Sequence, residues 1–264
     1  MDSVSGEGGF WDIGPHDPIN VEHAWREFVR LADGYVVEDL VPEPRNFQNA
    51  DFFFPKIPTV VELKEIVTEF EKSASFQKGM VPLLKRAAEE QPGWLPFNAD
   101  DDYPCPAWFS DEVIRLFRPP ISRILKKANG QIKQTKLHFG ASDSTGILVL
   151  VNDGFTALEP HFVRDLARSL LMTSYSSIDC FIYATVNRYV QVNDSDVPRL
   201  LWMPYYSERA PDDFHRFVDD LGRRWFAFLD TKIGGFTEPS WEVSRDSDCD
   251  VSLQFRAIVP PRDE

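Results

Sequence analysis

In residues 21–32, VEHAWREFVRLA, the apolar positions Val21, Ala24, Trp25, Phe28, Leu31 and Ala32 fall on one stripe of a helix, and Asn20 stands where an N-cap is needed. Gly34 is placed to end that helix. The pattern then shortens: GYVVEDLVP (34–42), NADFFFP (49–55) and TVVELKEI (59–66) are β-branched or aromatic runs bounded by Gly, Pro and Asn, and they predict three strands. The Pro-Lys-Ile-Pro turn between the last two makes them a hairpin. Helical spacing returns in ISRILKKANGQIKQTKLHFG, and TGILVLVND predicts a buried strand. Asn129-Gly130 leaves two readings of that helix open, one continuous and one with QIKQTK as a separate turn.

Residues 66–112 predict an insertion after the third strand, with mixed helical sequence followed by the proline-rich aromatic loop WLPFNADDDYPCPAWF. Its Asp100-Asp101-Asp102 run fits a hydrated turn better than a metal site, because consecutive aspartates do not converge on one ion. Beyond Asn152, EPHFVRDLARSLLMT predicts a helix, SSIDCFIYATV and PRLLWMPYYSE predict strands, PDDFHRFVDDLGRRWFAFLD a long amphipathic helix and DVSLQFRAIVP a half-buried strand. No repeat or low-complexity segment divides the chain. The fold class expected is α/β with a mixed sheet: a core over 21–65 and 113–152, the insertion 66–112, and a C-terminal αββαβ extension over 153–264. Residues 19–264 form one domain in this reading, behind a flexible leader, 1–18.

The third strand carries unusual chemistry. Side chains alternate along a strand, so Glu62 and Lys64 share one face while Val61 and Leu63 share the other. Charges on an otherwise apolar strand are costly to bury unless they are paired or hold a metal. Asp51 opens the neighbouring strand. Two carboxylates converging with a lysine make a divalent-metal site suited to phosphodiester hydrolysis.

Asp51 followed by Glu62-Leu63-Lys64, behind a helix that carries acids, resembles the PD-(D/E)XK nuclease superfamily, which includes restriction enzymes and Holliday-junction resolvases. The element order αβββαβ is also the common core of that superfamily, so the resemblance implies a restriction-endonuclease-like fold. It further implies Asp51 and Glu62 as ligands of Mg²⁺ or Mn²⁺, the Leu63 carbonyl as a further ligand, and Lys64 as the cation that positions the attacking water. Glu22, in the first turn of the first helix, resembles the resolvase helix acid and is preferred over Glu27. Gln131 resembles an accessory glutamine on the helix after the motif. Ala50 departs from the pattern, standing where the motif name has proline.

Charge first argues against a nucleic-acid partner, since the 264-residue chain is formally -14. Its distribution reverses that argument. Between Ile114 and Ser142 lie Arg115, Arg118, Arg123, Lys126, Lys127, Lys133 and Lys136 with no acid, which fits either a solvated helix face or a stripe for a phosphate backbone, with Lys126, Lys127, Lys133 and Lys136 as the DNA contacts in the second reading. The function expected is a metal-dependent DNA nuclease. Two other classes are compatible with the same features: a catalytically inactive nucleic-acid-binding module on the same fold, and an acidic protein-interaction factor using aromatics such as Trp94 and Trp108. A protein partner or homo-oligomer is compatible with each.

Other chemistries lack their motifs. The 5 histidines show no metal spacing, and there is no phosphate loop or GxSxG elbow. The 3 cysteines, Cys105, Cys180 and Cys249, are spaced for reduced thiols. No apolar run approaches the roughly 20 residues of a membrane span, and the start lacks a signal-peptide pattern, so a cytoplasmic protein with no membrane partner is expected.

Overall fold

The computed structural model describes residues 16–42, 44, 47–92, 106–156, 160–190 and 198–236, apart from the side chains of 161 and 172–174. Helix α1 (Val21–Leu31) starts at Asn20, whose Oδ1 accepts the backbone N–H of His23 at 2.9 Å, a donor the helix itself leaves unsatisfied. After Ala32, Asp33 rather than Gly34 takes the left-handed turn, with φ at 63°. Gly34 serves packing instead. A Cβ there would lie 2.7 Å from Val29 Cγ1 and 2.8 Å from Phe54 Cε1.

The first strand is shorter than its sequence predicts. β1 is only Tyr35–Val36, and Val37–Leu40 forms one helical turn, α2. In a continued strand Val36 and Val37 would point to opposite faces. The turn buries both and presents Glu38 to Arg26 and Asp39 to Arg30, each at 2.7 Å.

β2 (Phe52–Phe54) and β3 (Thr59–Ile66) form the hairpin, with Phe52 opposite Val61. A 3₁₀ turn at Phe70–Lys72 and helix α3 (Ala74–Glu90) occupy the insertion. Helix α4 (Ala107–His138) is a single 32-residue helix that begins inside the predicted loop and runs through Pro119, Pro120 and Asn129-Gly130. Its stripe of Phe117, Ile121, Leu125, Ala128 and Ile132 is buried throughout. Burying each large apolar side chain contributes about 1.5–3 kcal/mol, more than the ~1 kcal/mol that glycine costs inside a helix. Asn129 is engaged elsewhere: its Oδ1 accepts the Ser177 N–H at 3.0 Å.

The chain then runs through β4 (Thr145–Asn152), α5 (Pro160–Ser174), β5 (Cys180–Ala184), β6 (Trp202–Tyr206) and α6 (Asp212–Lys232). The architecture is α/β, with an open six-stranded sheet in the order β1-β2-β3-β4-β5-β6. It is mixed: β3, β4 and β5 are parallel, and the pairs β1·β2, β2·β3 and β5·β6 are antiparallel. The C-terminal segment extends the same sheet. The strand predicted over 250–260 lies outside the described residues, as do Trp94, Asp100, Asp101, Asp102, Cys105 and Cys249. Cys180 is buried. Among the described residues no helix is long and apolar enough to cross a membrane.

Helices cover both faces of the sheet. Val61 and Leu63 of β3 join α1 and α6 in one core, around Trp25, Trp202 and Trp225. Val60 and Ile66 join α3, α4 and α5 in the other. Pleating therefore sends Glu62 and Lys64 to the α4 side.

Candidate active site

Asp51 lies one residue before β2, just past the Phe52–Val61 pair, which brings it across from Glu62. Its backbone is held on both sides: its N–H donates to Val61 O at 3.2 Å, and its carbonyl accepts from Val37 N at 2.9 Å. The side chain is held as well. Its Oδ2 accepts the Leu63 N–H at 2.8 Å, so the β3 backbone directs the carboxyl.

Glu62 is fully buried on the α4 side, and Lys64, 22% exposed, donates from Nζ to Glu62 Oε1. The Asp51 and Glu62 carboxyls lie within electrostatic reach of each other. Neighbouring carboxylates repel, so the charge of one favours the protonated form of the other. Burial, and then the neighbouring Asp51 charge, push Glu62 up to about 8, against the opposing pull of Lys64. Burial raises Asp51 too, opposed first by the Leu63 N–H bond. Glu62 Oε2 is buried and has no hydrogen-bond partner within the protein.

Leu63 contributes through its backbone. Alternate residues of a strand direct both backbone groups to the same neighbour. Val61 and Leu63 therefore both face β2, and Val61 O is taken by Asp51 N. By the same alternation the Leu63 carbonyl is directed to the β2 side, where its own N–H holds the Asp51 carboxyl.

Of the two helix acids, Glu22 is the one whose charge reaches the site, raising both Asp51 and Glu65. Its side chain is 69% exposed and pairs with Arg26 at 3.1 Å. Glu27 instead pairs with Lys232 of α6 at 2.7 Å. Glu65, at the end of β3, is the acid that the motif alone did not single out, and only the fold brings it near Glu22.

Gln131 lies on the buried side of α4 and donates from Nε2 to Asn49 O at 2.9 Å, two residues before Asp51. Its Oε1 is buried without a partner. The basic stripe divides. Lys126, Lys127 and Lys133 are exposed, whereas Lys136 is buried and pairs with Asp179 Oδ2 at 3.4 Å. That ammonium is committed inside the molecule and does not join the exposed stripe. Trp108 is likewise engaged, under the Arg86 guanidinium at 3.8 Å and donating to Glu90 at 2.7 Å.

Compared with known proteins, the chain matches no family model, no curated protein and no solved structure.

Proposed function

We propose that this protein is a divalent-metal-dependent nuclease that hydrolyses phosphodiester bonds of DNA on a restriction-endonuclease-like core. The observation that carries the reading is the placement of Asp51 across from Glu62 on the β2–β3 hairpin, with the Lys64 ammonium on Glu62. A structural ion pair needs one acid and one base; here a second, half-buried acid is held across from the first by a dedicated backbone N–H. The unpartnered Oε2 of Glu62 and the all-oxygen set of Asp51, Glu62 and the Leu63 carbonyl suit a hard cation such as Mg²⁺ or Mn²⁺. Those three groups would hold it. When bound, such an ion supplies Lewis-acid stabilisation of the charge that develops on the phosphoryl oxygens.

The chain's own groups have distinct tasks in this reading. Lys64, on the open side of Glu62, orients the attacking water and donates to a phosphoryl oxygen. Gln131 Oε1 accepts a hydrogen bond from water or substrate at the inner wall. Lys126, Lys127 and Lys133 hold the phosphate backbone along α4. Glu22 adds negative charge at the mouth.

Purified protein incubated with plasmid, linear, branched and single-stranded DNA in Mg²⁺ and Mn²⁺ tests this directly. Cleavage is expected in the wild type and is lost in Asp51→Asn, Glu62→Gln and Lys64→Ala, with DNA affinity within about twofold in Lys64→Ala, since one charge contributes little to a multi-phosphate contact. Activity that survives all three substitutions belongs to a contaminant. DNA retention without cleavage by the wild type identifies a binding module instead.

A further inference from the structure

The residues just before Asp51 have no regular secondary structure, yet three consecutive ones are held by side chains of α4. Gln134 Oε1 accepts the Gln48 N–H at 3.0 Å, Gln131 Nε2 donates to Asn49 O at 2.9 Å, and Thr135 Oγ1 accepts the Ala50 N–H at 2.7 Å. Gln131 and Thr135 are four residues apart, one above the other on the helix. Thr135 is fully buried and so is Ala50, so the Ala50 N–H has no water to fall back on. The connection spans 85 positions of sequence. It joins the helix that carries the exposed lysines to the Asn49–Ala50 peptide, one residue before Asp51.

We propose that Thr135, with Gln134 beside it, is a positioning residue: α4 sets the height of the 48–50 segment through these two side chains and thereby holds the Asp51 carboxyl against β3 where it can share a cation with Glu62. This rests on the nuclease reading above and adds to it a residue the motif does not contain. The geometry has a reason. Asp51 is held from its neighbouring strands, its backbone by Val61 O and Val37 N and its carboxyl by the Leu63 N–H, and none of these bonds fixes the segment that leads into it. Thr135 fixes that segment at Ala50, from the α4 side. Because the same helix presents Lys126, Lys127 and Lys133, a phosphate backbone lying on α4 and the acid that acts on it are placed by one rigid element.

Thr135→Val keeps the volume and removes the acceptor, and Thr135→Ser restores it. Mn²⁺ affinity measured by calorimetry and the cleavage rate are read well below each variant's Tm. The valine variant is expected to lose about 10–100-fold in Mn²⁺ affinity or in kcat, the range typical of groups that orient metal ligands, with KM for DNA unchanged. The serine variant returns to within a few-fold of the wild type. A valine variant that folds, binds Mn²⁺ and cuts like the wild type overturns the proposal even though it lowers Tm, because Thr135 is then only a packing residue. Should Thr135→Val fail to fold, Gln134→Ala, at a half-buried position, is read the same way: weakened Mn²⁺ binding supports the proposal and unchanged binding overturns it. A wild type that neither binds Mn²⁺ nor cuts overturns the nuclease reading itself, and this inference with it.

Discussion

A buried glutamate with its proton held to about 8 leaves a mark on stability. An unfolded glutamate loses its proton near 4.5, so between that value and about 8 the unfolded chain releases a proton that the folded chain retains. Stability of the metal-free protein therefore falls as pH rises through this window and levels off above it. The loss is on the order of a few kcal/mol. Glu62→Gln is expected to flatten the slope, leaving stability near the wild type at pH 5 and higher than it at pH 8, as read from urea midpoints. A parallel pH slope in both proteins would mean that Glu62 is ionised and paired throughout. Asp51→Asn acts in the same direction by removing the acid whose charge lifts Glu62. Alternation along β3 put Glu62 and Lys64 on one face from the sequence alone, but their burial could not be read there. It depends on α4, which covers that face.

Helix α4 is where local reading and structure part most clearly. The Asn129-Gly130 pair is a strong local turn signal, yet the helix continues because the stripe through Leu125, Ala128 and Ile132 is sealed against the sheet. Gly130 has open space around the position of a Cβ, so Gly130→Ala is expected to stabilise the protein by about 0.5–1 kcal/mol, measured by urea unfolding. A loss of stability there would place a break in the helix in solution. The exposed face of the same helix carries the electrostatics. Replacing Lys126, Lys127 and Lys133 with glutamine is expected to weaken DNA binding and to reduce the salt slope by about one per lost phosphate contact. An unchanged slope would make the stripe a hydrated surface. Lys136 belongs to the same run in sequence but not in space, since one more helical step turns it inward to Asp179.

At the scale of the molecule, the predicted core and its extension share one interior. Trp25 of α1 stacks on Phe52 of β2, on Trp202 of β6 and on Trp225 of α6, with ring centroids 6.1, 6.2 and 4.7 Å apart. β4 has its second neighbour in β5, along Ile147–Val151. A chain truncated to residues 1–152 keeps every strand of the αβββαβ order but loses both of those tryptophans and leaves β4 as a bare apolar edge. It is expected to show no cooperative urea transition, followed by tryptophan fluorescence and circular dichroism; a sharp two-state transition would make residues 153–264 an independent addition. At the far edge, Pro204 of β6 lies opposite Ile182, and its neighbours in register, Cys180–Tyr206 and Ala184–Trp202, alternate with the bonded pairs that continue from Ser207 N to Asp179 O at 2.9 Å. The missing N–H of Pro204 thus falls on the outer side, which blunts that edge against pairing with another strand.

What could be derived from the order of residues was whatever repeats over a few positions: the α1 stripe apart from Leu31, which is exposed while Val29 is buried in its place, the β2–β3 hairpin, the helices α5 and α6, and the shared face of Glu62 and Lys64. Those features depend on the period of the backbone, which is the same in every protein. The short β1, the unbroken α4, the turning of Lys136 to Asp179 and the hold of Thr135 on Ala50 were decided by tertiary structure. The last two depend on partners far along the chain, 43 positions away for Lys136 and 85 for Thr135. A polar residue on a helix carries no local sign of the group it will meet, because the free energy of that contact exists only once the intervening chain has packed and excluded water.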